Sequence, residues 1–206
     1  MGLAVDILNE DGKPVQEQKG ELVCKKPFPA MPIGFWDDPD QKKYQSAYFE
    51  RFDGIWTHGD YAERTAQDGF VIHGRSDAIL NPCGVRIGTA EIYRQVETFE
   101  EILEALAIGQ EKNNDVRVVL FVVMKQQQEL SDDLKDQLRR RIKQNTTQRH
   151  VAEVIFSVDA LPRTLSGKIV ELAVRAVVHN LLVKNKESLA NPEALEYFKN
   201  IPELQK

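Results

Sequence analysis

Residues 74–92 read GRSDAILNPCGVRIGTAEI, and the grammar of the chain changes across them. Upstream, apolar and polar residues alternate with the period of a strand. LAVDIL (residues 3–8) and KGELVCKK (19–26) form two such runs, with the turn-forming pair Asp11-Gly12 between them. IWTHGDYAERT (55–65) and FVIHGR (70–75) flank Gln67-Asp68-Gly69, the signature of a second hairpin. Between these pairs lies PFPAMPIGFWDDPD, whose four prolines mark an ordered loop.

Downstream the period becomes mixed. Thr89 is placed to cap a helix over AEIYRQVETF, with Ile92, Val96 and Phe99 on one face. ILEALAIG fits helix or strand by period alone. DVRVVLFVVMK reads as a buried strand, because its apolar run is continuous apart from Arg117. Ser131 can cap the next helix, with Asp132 and Asp133 in its first turn and Leu134, Leu138 and Ile142 as its apolar stripe. AEVIFSV is another strand. A helix is expected from about Gly167, carrying Val170, Val174, Val177 and Leu181, and Asn191-Pro192 opens a short last one. The fold class is therefore α+β. Residues 1–76 form a short β-rich part, and residues 77–206 form a small α+β domain with a helical tail. That domain is expected to hold a three-stranded sheet with flanking helices plus a β-hairpin. The first part alone is short of core positions, so its sheet partners are expected in sequence outside this chain.

Composition narrows the function. Of 206 residues, 42% are hydrophobic and 29% charged, a globular balance. A net charge of −5 gives no support to a nucleic-acid or membrane-surface role. No apolar run reaches the ~20 residues needed to span a bilayer, and the opening residues, with no basic or long apolar region, lead one to expect no signal peptide. Cys24 and Cys83 form no CxxC pair, which argues against a disulfide framework and for a reducing cytoplasm. His58, His73, His150 and His179 show no metal spacing, so no metal site is expected.

Three segments can carry chemistry. In Trp56-Thr57-His58-Gly59-Asp60, a carboxylate at a glycine-preceded turn can accept hydrogen bonds from the vicinal hydroxyls of a ribose. In the opening stretch, Arg75 and Arg86 flank a glycine-containing loop and could grip phosphate. Taken alone, that stretch reads better as a linker with solvated charges. PRTLSGK (162–168) lacks both the first glycine and the closing Ser/Thr of a Walker A loop. Its Lys168 can still stabilise charge developing between a carboxylate and an α-phosphate.

In this order, WTHGD, GRSDAILNPCGVRIGTAEI and PRTLSGK resemble the late motifs of the adenylate-forming superfamily, which includes acyl-CoA synthetases, peptide-synthetase adenylation domains and luciferases. The resemblance spans almost the whole chain. GFWDD, GVRIGTAEIYRQVE and NKESLANPEALEYF look most like the branch that activates acetoacetate; branches that activate acetate or propionate stay open. The resemblance implies two half-reactions. An acid and ATP, with Mg2+, give acyl-adenylate and pyrophosphate; CoA then takes the acyl group and releases AMP. ATP and CoA are substrates, and no tightly bound cofactor is expected. Residues 1–76 would be the end of a large amino-terminal adenylation domain, the main partner of the small domain. Asp60 would hold the ribose, Arg75 the nucleotide near ribose and phosphate, and Arg86 the phosphate. Asp77 would be the hinge, Gly84 would line the pantetheine passage, and Lys168 would bridge acid and α-phosphate. Lys168 would also be an acetylation target. Cys83 stands where the resemblance leads one to expect glycine. The family's phosphate loop and acid pocket are absent, so this chain alone is expected to form no acyl-adenylate. Arg139, Arg140, Arg141 and Lys143 could grip the 3′-phosphate of CoA, or form a solvated helix face. A non-catalytic interaction module derived from such an enzyme is the rival reading.

Overall fold

The computed structural model describes residues 2–126 and 128–205. The chain divides into two compact units, Met1–Asp77 and Ala78–Lys206.

The first unit is a four-stranded antiparallel sheet in the order β1-β2-β3-β4, formed by β1 (Val5–Leu8), β2 (Lys19–Cys24), β3 (Trp56–Arg64) and β4 (Phe70–Arg75). Ile7, Leu8, Val23 and Phe52 are buried in it. Two carboxylates lie inside this small sheet, and each has a cation. Asp6 pairs with Lys25 at 2.6 Å, and Glu21 pairs with Arg51. The β-rich reading of this part named no helix; the structure adds α1 (Lys42–Tyr48), which directly follows the proline-rich loop. Asp38 nucleates it from upstream: its carboxylate accepts the N–H groups of Lys43 (3.1 Å) and Tyr44 (2.9 Å). Tyr48 stacks on Trp56 with ring centroids 3.7 Å apart, which seats the helix on β3.

The second unit is built on a three-stranded sheet of β5 (Ile102–Lys112), β6 (Asp115–Met124) and β7 (Val154–Ser157). The two-residue turn Asn113-Asn114 has φ of 52° and 61°, so its twist suits the antiparallel β5–β6 hairpin. β7 returns parallel to β6 after α3 (Asp132–Asn145). Side chains of β6 alternate between two cores. Val118, Leu120 and Val122 meet Ile92 and Val96 of α2 (Thr89–Val96) and Leu134, Leu138 and Ile142 of α3. Val119, Phe121 and Val123 meet Val174 and Val177 of α4 (Glu171–Val178), together with Leu195 and Phe198 of the tail. Burial on both faces explains why β6 reads as one apolar run.

Several boundaries differ from expectation. Gly88, not Thr89, occupies the cap position of α2; its N–H donates to Glu91 at 3.1 Å. The helix expected from Gly167 begins at Glu171, and Leu181 lies beyond its end, 65% exposed. The extra hairpin is a single bridge between Leu80 and Ile87.

Arg117, which interrupts the apolar run of β6, is 7% exposed and fully engaged. It donates to Gln110 (2.8 Å), to Glu153 (2.9 Å) and to the Glu203 carbonyl (2.9 Å), so it ties the end of the tail to the sheet. The guanidinium holds the Glu153 carboxyl below the usual carboxylate range. A depressed folded-state pKa contributes stability above the unfolded value and loses it as pH falls through the folded one. Because Glu153 is half-exposed, the pair is worth about 0.2–1 kcal/mol. Glu153→Gln is therefore expected to lower Tm slightly at pH 7 and to flatten its decline below about pH 5, in thermal melts across that range. An unchanged pH profile would remove this pair from the acid response.

Candidate functional site

The first unit brings together His58, Asp60, Arg75 and Asp77. A register shift between Tyr61 and Ala62 lets β4 skip one residue, which sets Arg75 directly opposite Asp60. Arg75 Nη1 lies 3.6 Å from Asp60 Oδ1, and its Nε lies 3.5 Å from Asp77 Oδ1. His58 Nδ1 bonds the other oxygen of Asp60. Gly59, at φ 82°, is required by both backbone and space. A Cβ there would stand 2.7 Å from Arg75 Nη2. The Asp60 side chain is 19% exposed, and those of His58 and Arg75 are about half exposed. Each carboxylate oxygen has one partner here and keeps a lone pair for a ligand hydroxyl. His58, two residues before Asp60 on the same strand, is a member of this cluster that motif reading passes over.

In the second unit, Lys168 sits on an exposed β-turn, not at a helix start. Arg163 bridges Ile169, and Thr164 N–H donates to the Lys168 carbonyl at 2.9 Å. Gly167 closes the turn at φ 83°. The Thr164 hydroxyl accepts the Lys168 N–H at 3.1 Å. The turn is strapped from behind by the tail. Ala190 N–H donates to the Arg163 carbonyl (2.8 Å), and Leu165 N–H to the Ser188 carbonyl (3.2 Å). Asn191 accepts the Arg163 N–H at 2.8 Å and donates to the Leu161 carbonyl at 3.0 Å. The Arg163 guanidinium bonds the Gly167 carbonyl and the Glu104 carboxylate of β5. Among the described residues, nothing holds the Lys168 ammonium, so a pinned backbone presents a free cation. Asn191 and Arg163 could not be found from spacing, because the strap joins segments 28 residues apart.

Gly84 and Cys83 lie in a short 3-10 turn, Pro82–Gly84. Cys83 has φ 51°, a left-handed conformation that costs a non-glycine residue about 1–3 kcal/mol. Its thiol is turned onto Asp115 at the start of β6. No heavy atom lies within 4 Å of where a Gly84 Cβ would point. Arg86 is half-buried just after this turn. Two of the four cations in the α3 patch contact other parts of the fold. Arg139 donates to the carbonyls of Ala152 and Glu153, and Arg141 lies over the Phe99 ring at 5.7 Å. Among the described residues, no cluster of three His, Cys, Asp or Glu could hold a metal, and no helix is long and apolar enough to cross a membrane.

A lysine on a strapped turn, above a sheet with helices on both faces, is the arrangement that comparison with known proteins bears on. Residues 95–168 match the AMP-binding enzyme C-terminal domain. The chain resembles the carboxy-terminal part of adenylate-forming enzymes in fold and in this matched segment. Within that class, it is similar over its whole length to several acetoacetyl-CoA synthetases. It is 59% identical to the acetoacetyl-coenzyme A synthetase of Rhizobium meliloti (strain 1021) over 205 residues, covering 100% of this chain and 32% of the relative. It is 43% identical to the acetoacetyl-CoA synthetase of Gallus gallus, again over 100% of the chain and 31% of the relative. The solved acetoacetyl-CoA synthetase from Streptomyces lividans superposes with a TM-score of 0.90 at 36% identity, over 99% of this chain and 31% of that one. The chain thus spans about a third of the length of the curated relatives it matches.

Proposed function

We propose that this chain is the carboxy-terminal part of a cytoplasmic, AMP-forming acid–CoA ligase that converts acetoacetate, ATP and CoA to acetoacetyl-CoA, AMP and pyrophosphate. The observation that carries the reading is the Lys168 turn, with its backbone fixed by the tail and its ammonium free. In the first half-reaction, a carboxylate oxygen of acetoacetate attacks the α-phosphorus of ATP, and the bond to the β-phosphate oxygen breaks. Lys168 stabilises the negative charge shared between the attacking carboxylate and the α-phosphate. Magnesium enters as the counter-ion of ATP, a substrate. Asp60 accepts hydrogen bonds from the ribose hydroxyls, oriented by His58 and Arg75; Arg75 contacts the nucleotide near ribose and phosphate, and Arg86 is assigned to the phosphate.

In the second half-reaction, the CoA sulfur attacks the adenylate carbonyl and AMP departs. Gly84, with open space on one side, supplies backbone along the pantetheine path. Residues 1–76 are the end of a larger amino-terminal adenylation domain, and residues 77–206 are the small domain that serves both steps. Asp77 is the hinge; the boundary between the two compact units beside it supports that assignment.

The test is to express the longer protein that carries this chain and to assay acetoacetate, acetate and propionate with ATP and CoA, following both AMP and thioester. Acetoacetate is expected to give the highest kcat/KM by at least about tenfold. Preference for acetate or propionate would overturn the acid assignment. No AMP from any acid would leave the interaction-module reading standing. The 206-residue chain alone is expected to catalyse no ATP–pyrophosphate exchange.

A further inference from the structure

The β5–β6 hairpin places Asp115 under the 3-10 turn that carries Gly84. Its Oδ1 accepts the Cys83 backbone N–H and the Val116 N–H, both at 2.7 Å. Its Oδ2 accepts the Cys83 thiol at 3.2 Å. One carboxylate thus holds both the backbone and the side chain of the residue preceding Gly84. It does so where the backbone needs holding, because Cys83 at φ 51° and Gly84 at φ 75° are consecutive left-handed residues. Glycine adopts that conformation freely, whereas cysteine does not, so this chain needs an external support that a Gly-Gly pair would not. The Cys83 N–H keeps the Asp115 carboxyl below the usual carboxylate range, and the carboxylate in turn pushes the Cys83 thiol upward. The clamp therefore stays a carboxylate–thiol pair at neutral pH, and Cys83 is held as a thiol, not poised as a nucleophile.

We propose that Asp115 is a positioning residue for thioester formation, clamping Cys83 so that the Gly84 backbone keeps the shape that guides the CoA thiol. The proposal rests on the reading of Gly84 given above. A merely structural Asp115 would support the start of β6 through Val116 N–H, and its loss would weaken the fold and both half-reactions alike.

The test uses the longer ligase and measures the half-reactions separately, adenylation by ATP–pyrophosphate exchange and thioester formation from supplied acetoacetyl-adenylate and CoA. Asp115→Ala is expected to slow thioester formation by about tenfold or more, since small misplacements at a reacting centre cost this much, while exchange stays unchanged. Asp115→Asn keeps an acceptor oxygen for the Cys83 N–H and is expected to recover most of the rate. Adding Cys83→Gly to Asp115→Ala is expected to restore part of it, because the left-handed turn then needs less support. Equal loss in both half-reactions, or an unchanged thioester rate in Asp115→Ala, would overturn the proposal. Gly84→Leu separates the two levels. If it slows thioester formation while Asp115→Ala does not, the clamp fails and the Gly84 reading stands. If Gly84→Leu has no effect on that step, the underlying reading fails and the proposal fails with it.

Discussion

Lys168→Ala in the longer protein that carries this chain is expected, on the proposed function, to depress acyl-adenylate formation by about 10²–10³-fold and to leave thioester formation from supplied adenylate nearly intact. The magnitude follows from what the ammonium does. In the proposed reading it meets charge that is concentrated as the carboxylate oxygen approaches the α-phosphate, so its contribution would be made mainly in that transition state. Once the adenylate exists, no such charge is left between those two atoms for Lys168 to neutralise. Lys168→Arg keeps the charge but replaces a compact point with a planar fork on a different reach, and is expected to rescue poorly. Lys168→Gln removes the charge and leaves a neutral amide, as acetylation would, and should match alanine. The measurement is pyrophosphate exchange beside single-turnover thioester synthesis. Equal loss in both would remove Lys168 from a step-specific role.

The strap sharpens this prediction. Asn191 holds Arg163 and Leu161, the shoulder of the Lys168 turn, and touches neither substrate in the proposed reading. Asn191→Ala should therefore weaken the same half-reaction, by about tenfold, through the orientation of the turn. A free lysine on a disordered loop would be insensitive to this change.

The features that can be read in advance share one property: their cause is local. β6 announces itself through a run of apolar residues, because both of its faces are covered. The α3 helix carries its own cap, Ser131 accepting the Leu134 N–H, and its own stripe. What escapes depends on distant partners. The α1 helix contains a single buried side chain, Tyr44, and owes its start to Asp38 and its place to Trp56. Gly167 resembles a helix start, yet its left-handed backbone serves a turn whose strap is written more than twenty residues later. The pairing of Asp60 with Arg75 needs a skipped residue in β4, which alternation alone does not reveal. Cys83 looks like a defect in a glycine pair until Asp115, 32 residues on, supplies its partner.

Phe121→Ala is expected to cost the second unit about 3–5 kcal/mol. Phe121 is 0% exposed at the middle of β6. Its ring meets Phe198 edge-on with centroids 4.8 Å apart, and stacks on Phe156 of β7 at 5.7 Å. Truncation removes the burial energy of one aromatic side chain and leaves a cavity between two strands and the tail, neither of which can collapse far. Urea unfolding followed by the helical circular-dichroism signal measures the change, and Phe121→Leu, which fills more of the space, should lose less than half as much. A loss below about 1 kcal/mol for alanine would mean that the tail does not pack on this face as described. The consequence extends to the chemistry. Phe198 anchors the same tail whose Asn191 braces the Lys168 turn, so a Phe121→Leu protein that still folds should show slower adenylation before any change in thioester transfer. The core on this face of the sheet is then part of what aims the lysine.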